Sequence, residues 1–508
     1  MARLLKMPLL VILIGIGAVT MYLPASHAFM LGNYPVARAF FYSATVLLVL
    51  AAMLAIATAG RRTRNMARSQ LASLLGAYLV MPVVMALPFQ QAVQDTSFLN
   101  AWFEMLSCFT TTGATLYETP GRLAPSLHLW RAMVGWLGGY FVLVMAVAVL
   151  APLNLGGAEV ISGRPPGRAA TGAGEISHIA DPAERLARHA LALLPAYAGL
   201  TLVLWVALLT AGEPGLVALS HAMSTLSTSG ITPGQGLQTS GLLGEMLIFL
   251  FLCLAISRRT LPGAGLVNST GPFRSDPEVW MATVIVLIVT FLLVLRSWIG
   301  AIVVEDAANV PSLLRVIWGT LFTTLSFLTT TGFVSQDWTA TRLWSGLETP
   351  GLVLLALTIL GGGAATTAGG VKLLRVYALF RHGERELERI IHPTSIGGAG
   401  EAARRMRREG AYVAWIFFML FAMSIALING ALGLIGIPFE TGMVLTLSAL
   451  TTTGPLAGLA TETPVSFAEL GTLAKLILAF AMVLGRLETL ALLAFFAPDG
   501  WRRQTGKS

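Results

Sequence analysis

Apolar residues recur along this chain in long runs, at roughly 8–27, 36–59, 69–89, 125–152, 190–211, 241–257, 279–303, 347–360, 411–435 and 471–497. Most runs hold about the 20 residues that an α-helix needs to cross some 30 Å of hydrocarbon. The eighth is shorter and resumes beyond a cluster of glycines. Between some runs lie shorter apolar segments ending in Thr and Gly. They are too short to span and too apolar for ordinary loops, so they read as re-entrant. The pattern predicts an all-α polytopic membrane protein with about ten transmembrane spans.

Four of the short segments align on one glycine without gaps: 106–113, 223–230, 325–332 and 447–454. The three positions before the glycine always carry hydroxyls, with Thr in the middle, and the sixth position before it is always Ser. One such motif means little, because hydroxyls are common at helix ends. Four in register, one per pair of spans, mark an internal repeat. The repeat predicts four membrane helix–pore helix–membrane helix units in a pseudo-fourfold arrangement. These are 67–160, 161–275, 276–400 and 401–508, preceded by a two-helix unit at 1–66.

A bare cation entering a membrane must replace its lost water with oxygens, and backbone carbonyls aimed at a common axis supply them. Glycine admits a positive φ, which lets successive carbonyls face one way. Threonine hydroxyls can tie the strand to its surroundings or add a ligand. The cation-binding candidates are therefore Thr111, Thr112 and Gly113; Thr228, Ser229 and Gly230; Thr330, Thr331 and Gly332; and Thr452, Thr453 and Gly454.

Two asymmetric features stand out as candidates for a gate. After the third filter, Gly361, Gly362, Gly363, Gly369 and Gly370, with Thr366 and Thr367 between them, cannot hold a helix well, at about 1 kcal/mol per glycine relative to Ala. This stretch is expected as a loop inside the membrane, below the filter. In the last span, Arg486 sits where an arginine costs about 3 kcal/mol on insertion scales. It needs polar partners from elsewhere, carbonyls of the glycine loop among them. Close packing of small residues and snorkelling of Arg486 to the headgroups are the competing readings.

Composition agrees with the apolar pattern: 55% of the 508 residues are hydrophobic and 11% charged. The net charge of +8 comes from Lys and Arg on alternate segments, with nine of them between Lys372 and Arg408. That bias places both termini in the cytoplasm and argues against a nucleic-acid site. The outer segments carry Asp95, Glu104, Glu118, Glu213, Glu305, Asp306, Asp337, Glu440 and Glu462. They form either a cation-concentrating vestibule or acids left unopposed. The first apolar run is expected to be a retained helix, with a cleaved signal peptide as the alternative. Lys475 is expected to snorkel outward. Two cysteines exclude a disulfide framework.

The four filters, the glycine loop and Gly485-Arg486-Leu487-Glu488 resemble the TrkH/KtrB/HKT superfamily of potassium transporters over essentially the whole chain. Trp130-Arg131, Trp136-Leu137-Gly138-Gly139, Thr330-Thr331-Gly332-Phe333, Gly369-Gly370-Val371-Lys372 and Gly454-Pro455 resemble its TrkH branch, as do the two additional N-terminal spans. The resemblance implies K+ uptake through one pore per subunit in a bacterial inner membrane. K+ would be the bound and transported ion, with no organic cofactor. It also implies a homodimer among membrane lipids and a cytoplasmic nucleotide-binding regulator of TrkA type, acting through the glycine loop and Arg486. Sodium conduction, or symport coupled to H+ or Na+, is the alternative on the same scaffold. A membrane-embedded enzyme would need paired catalytic groups at one depth, and the spans offer no such pair.

Overall fold

The computed structural model describes residues 8–58, 66–150, 182–234, 236–237, 239–257, 259, 276–303, 310–338, 351–392, 410–461 and 464–487. Among them the secondary structure is helical. The N-terminal unit has α1 (Leu9–Thr20), α2 (Tyr22–Met30) and α3 (Tyr34–Thr58). The first sequence repeat has α4 (Met66–Val93), α5 (Phe98–Phe109) and α6 (Pro125–Met145), and the second has α7 (Pro182–Thr210), α8 (Gly215–Ser227) and α9 (Gly241–Leu252). The third has α10 (Pro277–Val303), α11 (Val310–Leu328) and α12 (Gly351–Leu360), followed by α13 (Leu373–Ile391). The fourth has α14 (Ala411–Leu434), α15 (Phe439–Leu450) and α16 (Thr472–Leu487).

Seven helices among the described residues are long and apolar enough to cross a membrane; they include α3, α6 and α14, and α1 and α2 together count as one. This differs from the ten predicted spans at the second helix of unit two, where α9 is shorter, and in units three and four, where the predicted spans 347–360 and 471–497 are described only from Gly351 and only to Leu487. The rest of the predicted last span, beyond Leu487, lies outside the described residues, as do Arg404–Arg408, Glu305, Asp306 and Glu462.

The short helices follow from their caps. Ser97 accepts the Asn100 amide at 3.2 Å and starts α5. Before α8 and α15 the chain turns in the same way. Gly212 and Gly436 stand at φ +98° and +93°, while Glu213 reaches back to the Leu208 carbonyl and Ile437 to that of Leu432. Prolines 214 and 438 then open the pore helices. At 1.5 Å per residue, a 12-residue helix is about 18 Å long and ends near mid-membrane. The N-terminal unit packs outside this arrangement. Phe40 meets Trp130 edge-on at 5.5 Å, and His27 Nδ1 lies 2.8 Å from Ser126 Oγ.

Candidate functional site

All four pore helices end alike. The amide just before the filter glycine bonds to the carbonyl of the serine six before it: Thr112 to Ser107 at 2.8 Å, Ser229 to Ser224 at 3.0 Å, Thr331 to Ser326 at 2.9 Å and Thr453 to Ser448 at 2.8 Å. This helix closure places a left-handed residue between the bonded groups, usually Gly. Here the residue is threonine each time: Thr111, Thr228, Thr330 and Thr452, at φ +55°, +49°, +57° and +55°. The sequence reading had assigned positive φ to the glycines. Gly113, Gly230 and Gly332 do have it, at +72°, +64° and +82°. Gly454 instead opens a 3-10 turn, Gly454–Gly458.

The flanking hydroxyls brace this bend. Thr110, Ser227, Thr329 and Thr451 donate to carbonyls four residues back, at 2.8, 2.8, 3.0 and 2.7 Å. Each also meets the hydroxyl just before the filter glycine, Thr112, Ser229, Thr331 or Thr453, at 2.8 to 3.3 Å. The side chains of those four predicted site residues are therefore committed to bracing. The middle threonines differ. Among the described residues, the buried Oγ1 atoms of Thr111 and Thr452 have no hydrogen-bond partner.

The four filters form a closed ring. A Cβ on Gly113 would overlap the Ser229 carbonyl, and one on Gly230 would overlap that of Thr331. One on Gly332 would lie 2.9 Å from the Pro455 ring, and one on Gly454 2.5 Å from the Gly113 carbonyl carbon. The Gly454 amide donates to the Thr112 carbonyl at 2.5 Å. Glycines on the second spans let helices touch the pore-helix ends. Gly138 of α6 leaves no room for a Cβ beside the Phe109 carbonyl, and Gly485 of α16 none beside that of Leu450. Both carbonyls lie four residues before a filter glycine.

The glycine loop lies directly against this ring. Gly361 and Gly370, at φ +73° and +76°, pack on each other and close its base. The Gly369 amide donates to Thr330 Oγ1 at 2.6 Å, and Thr367 Oγ1 to the Leu226 carbonyl at 3.2 Å. A Cβ on Gly369 would overlap the Thr451 carbonyl and Thr452 Oγ1. Thr366 Oγ1 donates back to the Gly363 carbonyl at 2.7 Å, a Cβ on Gly362 would overlap Ala368, and the Gly363 amide donates to the Ala255 carbonyl at 3.1 Å. The loop thus touches units two, three and four. Arg486, 7% exposed, lies beside Tyr78 of α4.

Several outer residues are placed differently from expectation. Glu104 is fully buried, with Arg131 Nε at 2.8 Å. Its oxygens accept from Thr115 Oγ1 at 3.0 Å and the Leu116 amide at 2.8 Å, so it holds the strand after the first filter. Glu213 is also buried. Burial raises its carboxyl pKa, but the amides and hydroxyls of Ser240 and Thr239 outweigh that and hold it below the ordinary value. Asp95 pairs with Arg122 at 3.2 Å on the surface, and Glu118 and Glu440 are exposed. Lys475 is 5% exposed and donates to Asn100 Oδ1 at 3.0 Å rather than snorkelling. Sequence reasoning missed Glu245. It accepts from Ser335 Oγ at 2.8 Å, the Gln336 amide at 2.8 Å and Trp318 Nε1 at 2.9 Å, and holds the strand after the third filter.

Comparison with known proteins points one way. Residues 278–502 match the family described as TrkH, cation transport protein. The Trk system potassium uptake protein TrkH of Salmonella typhimurium is 28% identical over 430 residues, covering 84% of each chain. The Trk system potassium uptake protein TrkI of Halomonas elongata is 29% identical, covering 82% of this chain and 81% of that one. The crystal structure of the potassium transporter TrkH from Vibrio parahaemolyticus superimposes with a TM-score of 0.78 at 24% identity, covering 99% of this chain and all of the other.

Proposed function

We propose that this chain, similar to the TrkH cation transport proteins, carries K+ into the cell through a pore lined by its four filters. The observation that carries this reading is the closed ring in which each filter glycine abuts the next filter. Thr111, Thr228, Thr330 and Thr452, with the residues after them, would present carbonyl oxygens to a dehydrated K+. The unpaired hydroxyls of Thr111 and Thr452 supply further oxygens at the inner end. The protein requires no organic cofactor for this role.

The gate in this reading is the loop of Gly361, Gly362, Gly363, Thr366, Thr367, Gly369 and Gly370, which fills the path beneath the ring. Arg486 adds a positive charge beside that path and opposes cation entry. The protein works as a homodimer in the inner membrane, with both termini cytoplasmic and a TrkA-like nucleotide-binding subunit acting on the loop. The potassium uptake named for the Salmonella and Halomonas relatives supports the choice of ion.

Growth of a potassium-uptake-deficient strain at low external K+, with a matching regulator present, tests the reading. Rescue of growth, and rubidium uptake by proteoliposomes that exceeds sodium uptake, are expected. Equal sodium uptake would move the assignment to Na+ conduction. Uptake that required an inward proton or sodium gradient would move it to coupled symport.

A further inference from the structure

The filter-side contacts of the glycine loop involve groups that the pore already uses. Its cytoplasmic side is held by something different. The amide of Ala364 donates to Glu278 Oε1 at 2.7 Å, across 86 positions of sequence. Glu278 stands in the first turn of α10 and is 2% exposed. Its backbone is fixed in turn, because its amide donates to Asp276 Oδ1 at 3.1 Å. The other Asp276 oxygen accepts from Ser257 Oγ at 2.7 Å and pairs with Arg259 Nε at 3.4 Å. Ser257 and Arg259 follow Ala255, whose carbonyl accepts the Gly363 amide. The inner end of unit two and the start of unit three are thereby locked together, and both grip the loop at Gly363–Ala364. The next residue, Ala365, stands at φ +54°, a conformation that disfavours any side chain. The grip is therefore applied at a strained point.

We propose that Glu278 is the positioning residue that latches the glycine loop in its blocking conformation, an assignment that rests on the loop being the gate. A carboxylate accepting a backbone amide makes a charge-assisted bond, stronger than one between neutral groups. Removing it leaves a buried amide unsatisfied, so the loop is released at its cytoplasmic side. Because the Glu278 carboxylate grips the loop at Ala364 rather than at a filter glycine, discrimination among ions stays as it was. A residue that merely supported the fold would instead lower flux on removal.

The test uses the full-length protein in proteoliposomes, reading basal rubidium uptake and the rubidium-to-sodium ratio at matched protein incorporation. Glu278→Ala should raise basal uptake several-fold with the ratio unchanged. Glu278→Asp keeps the charge but falls short of Ala364, and should raise uptake as Ala does. Glu278→Gln keeps an acceptor oxygen at the same reach but loses the charge, and should raise uptake clearly less than Asp does. If the Ala variant does not fold, the contrast between Asp and Gln decides. Uptake that is unchanged or lowered in Asp, a Gln variant as leaky as Asp, or an altered ion ratio would each overturn the latch. A chain lacking residues 365–368 separates the two levels. Raised uptake there with silent Glu278 variants removes the latch alone. Unchanged uptake there removes the gate assignment and the latch with it.

Discussion

The first and third pore units solve the same problem with different parts. In each, the strand leaving the filter is held by a buried carboxylate. In unit one the carboxylate is Glu104, which lies on the unit's own pore helix and is balanced by Arg131. In unit three it is Glu245, borrowed from α9 of unit two, with Trp318 and Ser335 as neutral donors. The second spans diverge further. α6 continues behind its filter as one long helix, whereas α12 stops at Leu360 and the chain turns under the filter. The difference teaches that the filter layer tolerates little variation, because each filter supports the next. The layer beneath is free to differ, and there the third unit carries the glycine loop in place of a continuous helix.

The largest expected effect breaks unit one's arrangement. Arg131→Ala leaves the Glu104 carboxylate buried and uncompensated, at about 3–5 kcal/mol. Thermal unfolding in detergent should show a strongly lowered midpoint, and an unchanged midpoint would refute the pairing's importance. Glu245→Gln leaves only neutral groups around it and should cost less in the same assay.

The comparison sharpens at the filter glycines. Gly113→Ser meets a backbone carbonyl of the neighbouring filter, while Gly332→Ser meets the ring of Pro455. Both stand at positive φ. The first should lower the rubidium-to-sodium ratio about tenfold, equivalent to roughly 1.4 kcal/mol of discrimination, and the second by less. An unchanged ratio in Gly113→Ser would sink the filter assignment. Arg486→Ala should raise basal uptake about fivefold, as expected for removing a barrier of about 1 kcal/mol. Reduced uptake with normal incorporation would make Arg486 a structural tie through Tyr78.

The smallest effect concerns acid. The Glu213 carboxyl is held below its ordinary value, so its contribution to stability is complete above about pH 4.3. That contribution is lost as pH falls through the lower folded value. Glu213→Gln should flatten the fall of the unfolding midpoint between about pH 4.3 and the acid limit. A parallel fall in both proteins would show that the carboxylate carries none of it.

Much of the architecture was legible because it is written in hydropathy and repetition. Ser107, Ser224, Ser326 and Ser448 marked the pore-helix ends from spacing alone, and the structure shows their carbonyls accepting the closing bond. The left-handed threonines were not legible, because the usual rule assigns that conformation to glycine. The sequence leaves Glu104 either a vestibule acid or an unopposed one, because its partner, Arg131, lies 27 positions away on another helix. Glu278 and Glu245 gave no signal, since Glu278 takes a backbone amide 86 positions away and the donors to Glu245 lie 73 to 91 positions away. Lys475 misled because Asn100, its acceptor, lies 375 positions away.

Four threonines held left-handed are a store of strain, at about 1–3 kcal/mol each. Their sum is comparable with the whole stability margin of an ordinary domain, about 5–15 kcal/mol. No filter can relax alone, since its neighbour occupies the space it would need. Failure of the ring should therefore be cooperative. On warming, discrimination between ions would disappear in a single step, at a temperature where the helices around the ring still stand.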